Sequence, residues 1–246
     1  MKWWLALFFV CSSVQAQKVY MTSLDWPPYS GETLVENGLS VAIAREAFAV
    51  MGYELVVEFK PWVRTVTTAS KREKYIGYFP EYAFETEDFV FSDSIGSGPL
   101  GFVQNRERPI LWSELIDLSD YRIGVVQGYI NTQAFDALVE KGELSVEAAE
   151  NDILNIYKVA KGRVELAVID ANVLRYLIEI DPRREVLQSR VEMNRQLLEV
   201  KHLYLAFKNT PEGHSWRRIF NQGLRQIDIE SIEARLLNTT SLKRLQ

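Results

Sequence analysis

The chain is nearly devoid of cysteine and poor in histidine. Its 246 residues include one cysteine, Cys11, and two histidines, His202 and His214. Outside the first dozen residues there is no thiol, which excludes disulfides, thiol nucleophiles and thiolate metal sites from the rest of the chain. The histidines do not stand four apart and have no paired acidic motif, so no metal and no cofactor is expected. A GxSxG nucleophile elbow is also missing. Basic residues are not in excess: 28 Lys and Arg face 33 Asp and Glu, for a net charge of −5. That balance argues against a nucleic-acid partner. There is no internal repeat and no low-complexity linker. Apolar runs are short; the one from Trp3 to Val10 cannot span a bilayer as a helix.

That short run has a meaning of its own. Met1-Lys2, the apolar stretch and Ser12-Ser13-Val14-Gln15-Ala16 follow the order of an export signal, with cleavage expected after Ala16. Val10 before Cys11 argues against a lipid anchor. Export from a bacterium would end in the periplasm. Loss of residues 1–16 would leave 230 residues and remove one lysine, for a net charge of −6.

The most informative segment is Leu24-Asp25-Trp26-Pro27-Pro28-Tyr29-Ser30, directly after the strand-like Lys18–Thr22. Two prolines stiffen the turn and restrict the residues before them. Strand ends in open α/β sheets are where ligands bind. Trp26 and Tyr29 therefore read either as a preset stacking shelf for a small molecule or as core aromatics of a Pro-rich turn.

The element order is strand, helix, strand, helix. Gly38–Met51 is a predicted helix with Leu39, Ile43, Ala47 and Val50 on one face, ended by Gly52. Glu54–Phe59 and Ile76–Phe79 read as strands around a helix from Pro61-Trp62 to Lys71. Phe89–Ser92 and Leu100–Gln104 are extended. The second half repeats the pattern: strand Tyr121–Val126, helices Thr132–Lys141 and Ile153–Lys161, strand Glu165–Ile169 and helix Ala171–Glu179. Val186-Leu187 is expected as a short strand and Lys201–Phe207 as a clear one. Pro211–Ile227 and Ser231–Leu237 are predicted helices, with a frayed tail from Asn238. This order implies an α/β fold with mostly parallel sheets. Gly96-Ser97-Gly98-Pro99-Leu100-Gly101 matches GxGxxG, but it precedes an extended segment rather than a helix, so it reads as a crossover.

Four features together resemble the family 3 extracellular solute-binding proteins of the periplasmic, amino-acid-binding type. They are Asp25-Trp26-Pro27-Pro28-Tyr29, Pro61-Trp62-x-Arg64, Phe91-Ser92-Asp93, and the pair Tyr121–Gly128 with Ala167-Val168-Ile169-Asp170. The resemblance spans essentially the whole chain after Ala16. It implies a two-lobed fold of the type II-like periplasmic binding class, with lobe one at 17–104 plus 209–246 and lobe two at 105–208. Two crossover strands, near Val103–Arg106 and Ala206–Lys208, would form the hinge, and a ligand would bind between the lobes.

By the same resemblance Trp26 presents an aromatic ring to the ligand, with Tyr29 beside it. Asp170 receives an α-ammonium, and Gly128 and Tyr129 offer backbone N–H groups to an α-carboxylate. The arginine that the family carries six residues before the Phe-Ser pair is replaced here by Glu85. Either Arg64 supplies that clamp or the ligand is not an ordinary amino acid. Glu81, Glu85, Asp25 and Asp170 would together make an acidic cleft suited to a cation. Trp62 reads more as core than as site.

The expected function is periplasmic capture of a small polar metabolite, an amino acid or related amine or carboxylate, by a monomer that delivers it to an ABC permease in the inner membrane. No catalysis is expected. Two other readings use the same scaffold: a lyase resembling cyclohexadienyl dehydratase, and an orphan sensory or partner-binding module.

Overall fold

The computed structural model describes residues 16–243; the expected leader through Gln15, with Cys11, lies outside them. The first unit grows from β1 (Gln17–Ser23), whose Val19 and Met21 are buried, and β2 (Tyr53–Phe59), which runs parallel to it. Between them α1 (Leu39–Ala49) buries Val41, Ile43, Ala44, Ala47 and Phe48. Val50, expected on the same face, is instead exposed, because the helix ends at Ala49 and the chain turns there. After α2 (Trp62–Lys71), β3 (Tyr75–Glu81) joins β1 in parallel and is buried along its whole length. A strand covered on both faces needs the continuous apolar and aromatic run seen at Tyr75–Phe79.

Two strands then follow. β4 (Phe89–Phe91) stays with it, whereas β5 (Gly96–Asn105) pairs with the second unit from its first residue. That unit contains β6 (Arg122–Val126), α3 (Gln133–Glu140), β7 (Ser145–Ala149), α4 (Asp152–Ala160), β8 (Leu166–Asp170), α5 (Ala171–Ile180) and α6 (Arg184–Arg190). β6 is parallel to both β7 and β8, and β5 is antiparallel to β8. The 18-residue β9 (Val191–Lys208) ties the units together. Its residues up to Leu203 pair with β5, and those from Tyr204 pair with β3 and β4. The strand order is β2-β1-β3-β9-β5-β8-β6-β7, with β4 also against β9. The chain closes with α7 (Pro211–Leu224) and α8 (Ile229–Lys243).

Most of the predicted elements are present. Val186-Leu187 is a correction: it belongs to the helix α6, with Leu187 buried and Val186 exposed. β7 was not expected, and the backbone of α8 runs on past Asn238. The GxGxxG segment is strand β5. Of the expected crossover segments, Val103 pairs with Ala167 and Met193 inside the second unit, and Ala206 pairs with strands of the first. The sheet passes from one unit to the other between Phe91 and Gly96 and between Leu203 and Tyr204. No helix among the described residues is long and apolar enough to cross a membrane.

Candidate functional site

The two units meet where the ends of β1, β3, β6 and β8 converge. From the first unit, the turn after β1 stacks Trp26 on Tyr29, with ring centroids 4.7 Å apart and 30° between planes. Both rings are buried. The Tyr29 hydroxyl crosses to the second unit. It donates to the Asp170 carboxylate at 3.2 Å and accepts from the Asn172 side-chain amide at 2.8 Å. Asp170 ends β8 and caps α5, accepting from the backbone N–H of Asn172 at 2.7 Å and of Val173 at 3.1 Å. A capping carboxylate has a fixed direction, so α5 holds Asp170 toward Tyr29.

This contact explains one glycine. A Cβ on Gly98, in β5, would lie 1.9 Å from Asp170 Oδ2 and 2.3 Å from the Tyr29 hydroxyl. Only a residue without a side chain lets the three segments close there.

A second bridge lies beside the first. Trp62, the first residue of α2, donates its indole N–H to the Gly128 carbonyl at 2.8 Å and packs edge-on against Tyr129, with centroids 5.5 Å apart. Gly128 holds φ at +79°, which turns that carbonyl toward α2. Trp62 is buried in the core, as its reading as a core residue expects, and its indole N–H also reaches across the seam.

A small cavity of about 20 Å³ lies beside Trp62, and its lining includes Trp26, Trp62, Glu81, Tyr82, Tyr129 and Leu203. That is room for about one water molecule. A larger groove of about 770 Å³ lies elsewhere on the second unit, over Ile110, Val164 and Leu187, and holds none of the expected site residues.

Glu81 lines the small cavity, and Asp152 and Asp170 are buried outside its lining. Glu81 ends β3 and is 6% exposed; its oxygens accept from the Tyr82 N–H at 2.8 Å and the Tyr78 hydroxyl at 3.1 Å. Burial pushes its pKa up to about 8, against the lowering effect of those hydrogen bonds and of Lys201. Asp152, at the start of α4, is equally buried. Burial and the charge of Asp170 push it up to about 7. Asp170 is raised by burial too, with its hydrogen bonds and Arg175 opposing.

Two polar atoms of the cluster lack partners among the described residues. The Tyr82 hydroxyl is buried and hydrogen-bonded to nothing, and so is the indole N–H of Trp26. Asp152 lies near enough to that N–H to be eased by it, but not in hydrogen-bond geometry. Buried donors are normally satisfied, so such exceptions call for an explanation.

The expected residues divide clearly. Trp26, Tyr29, Glu81, Gly128, Tyr129 and Asp170 come together. Arg64 does not: it is exposed on α2, outside the cavity lining. Asp25 is exposed as well, and its carboxylate accepts from the Glu32 N–H within its own turn. Glu85 is exposed on the loop before β4. The turn at Gly128 and Tyr129 has little to offer an anion. The Tyr129 N–H donates to Val126 O, the Asn131 N–H donates to Asp136, and α3 is capped by Thr132. Sequence reading missed Asp152, Tyr82 and Asn172. Asp152 carried only the ordinary signal of an acid in a first helical turn.

No protein-family model matches this chain, and no curated protein matches it in sequence. Solved structures do match. A histidine kinase sensor domain with similarity to periplasmic binding proteins aligns with a TM-score of 0.75 at 16% identity, over 90% of this chain and 97% of that one. The fold is that of the two-lobed periplasmic binding proteins. An ancestral arginine-binding protein bound to arginine aligns with a TM-score of 0.72 at 14% identity, over 90% of this chain and 97% of its own. The GluR0 ligand-binding core from Nostoc punctiforme, in complex with L-glutamate, aligns with a TM-score of 0.69 at 19% identity, over 90% and 98%.

Proposed function

We propose that this protein is a periplasmic receptor that captures a small metabolite between its two lobes. Lobe one holds β1 to β4 with α7 and α8, lobe two holds β5 to α6, and β9 runs through both. The observation that carries this reading is the pair of buried, unpartnered polar atoms at the seam, Trp26 Nε1 and Tyr82 Oη. The fold adds support, since closure of two lobes stabilises a ligand that touches both. A monomer that hands its ligand to an ABC permease uses such a site in this way.

A sensory role is the second reading, and one observation favours it. The lobes already touch directly through Tyr29–Asp170 and Trp62–Gly128. A ligand must then change an existing closed contact, which is what a signal needs.

The test is a thermal-shift screen of Gln17–Gln246 against amino acids, polyamines, small carboxylates and aromatic metabolites. A ligand at 100 times its Kd adds about 2.7 kcal/mol, a rise of roughly 5–10 °C for a chain of this size. A rise of that kind, abolished by Trp26→Ala, is expected. Silence across the panel contradicts small-molecule capture.

A further inference from the structure

The larger groove lies at the end of lobe two that is remote from the seam. Glu165, in its lining, directly precedes β8, and Asp170 at the seam ends that strand. The two places therefore lie roughly 15 Å apart along the strand. The groove's volume of about 770 Å³ is that of a pocket for a small organic molecule. Its base is apolar: Ile110, Val164 and Leu187 line it and are buried, and Val186 on α6 adds a side chain that is 57% exposed.

Four cations and two acids share the lining, in a chain whose net charge is −5. One of the acids, Glu165, is already paired with Arg122 at 3.1 Å. Arg108, Lys161 and Arg190 are exposed, and among the described residues no hydrogen bond or ion pair engages their side chains. Arg183, the fourth cation, is fixed in place. Its guanidinium carbon stands 3.9 Å from the Tyr157 ring centroid, its Nε donates to Asp181 at 3.4 Å, and the Tyr157 hydroxyl donates to the same carboxylate. Asp181 is outside the lining, so it orients Arg183 without filling the groove. Like charges gathered round an apolar recess repel one another and leave the recess open to water. An anion with an apolar body relieves both.

We propose that this groove is a second binding site and that it takes a small organic anion. The apolar body lies on Ile110, Val164 and Leu187, and a carboxylate or phosphate head meets Arg183, Arg190 and Lys161. The site is separate from the seam and takes its ligand whether or not the lobes capture another. Its attraction comes from exposed cations, so binding weakens with added salt.

The experiment is a proton–nitrogen NMR titration of the purified protein with octanoate and octyl phosphate. Octylamine and octanol carry the same apolar body with a cationic and a neutral head. Both anions are expected to shift the backbone amides of Ile110, Val164 and Leu187 saturably and to leave the Trp26 indole N–H resonance unmoved. Octylamine and octanol are expected to bind at least about tenfold more weakly. Lys161→Gln combined with Arg190→Gln should weaken octanoate about fivefold. Arg195→Gln, exposed and outside the lining, should leave octanoate binding unchanged. Octanol or octylamine binding as tightly as octanoate, or groove amides that do not move, overturns the inference. A shift confined to the Trp26 indole places the anion at the seam, which overturns the second site and leaves capture between the lobes standing.

Discussion

Replacing Gly98 with alanine is expected to force the two lobes apart. The new methyl would fall 1.9 Å from Asp170 Oδ2 and 2.3 Å from the Tyr29 hydroxyl. Asp170 cannot retreat easily, because it is 1% exposed and holds the first turn of α5. Tyr29 must therefore leave, and the bridge through Asn172 goes with it. Overpacking of this kind costs about 1–3 kcal/mol, a fall in Tm of roughly 2–12 °C at this chain length. Small-angle scattering of Gly98→Ala should show a larger radius of gyration than the parent chain. An unchanged radius and an unchanged Tm would mean that the lobes do not close on this contact.

Raising the pH from 5 to 8 is expected to destabilise the unliganded protein. Glu81 and Asp152 have pKa values raised to about 8 and about 7 in the folded state, above the ordinary carboxylate range. Across that window the unfolded chain has lost these protons while the folded chain keeps them. The folded state binds more protons, so stability falls with rising pH and levels off above about 8. The loss from Glu81 alone is on the order of 2–5 kcal/mol. Glu81→Gln mimics the neutral acid and removes the ionisable group. It should raise Tm at pH 8 by several degrees and flatten the profile. A parent protein equally stable at pH 5 and pH 8 would mean that these carboxyls are solvated and ordinary.

Much of the fold is legible in the sequence because patterning and punctuation agree. Strand β2 ends at Phe59, and Pro61 follows as the N-cap of α2, which Trp62 opens one residue after the proline. β7 was illegible for a physical reason. Ser145–Ala149 is a mostly exposed strand beside β6, so it carries little apolar alternation. In α6 only Leu187 is buried, and two adjacent apolar residues in a short segment look like a strand.

The site was legible where a strand ends. Trp26, Glu81 and Asp170 all stand at such positions, and the proline turn marked the first. Asp152 and Tyr82 were not, because their burial depends on the opposite lobe. Nothing local separates Asp152 from any acid in a first helical turn. Spacing also misled: Arg64 and Asp25 lie close in sequence to site residues, yet both face solvent.

The most direct measurement is a carbon-13 NMR titration of the side-chain carboxyls, with Glu81→Gln and Asp152→Asn assigning the two resonances. Two carboxyls are expected to titrate near pH 8 and pH 7 in the unliganded protein. If every carboxyl titrates below about pH 5, the seam holds ordinary ionised acids and the desolvation of Glu81 and Asp152 by lobe closure is contradicted.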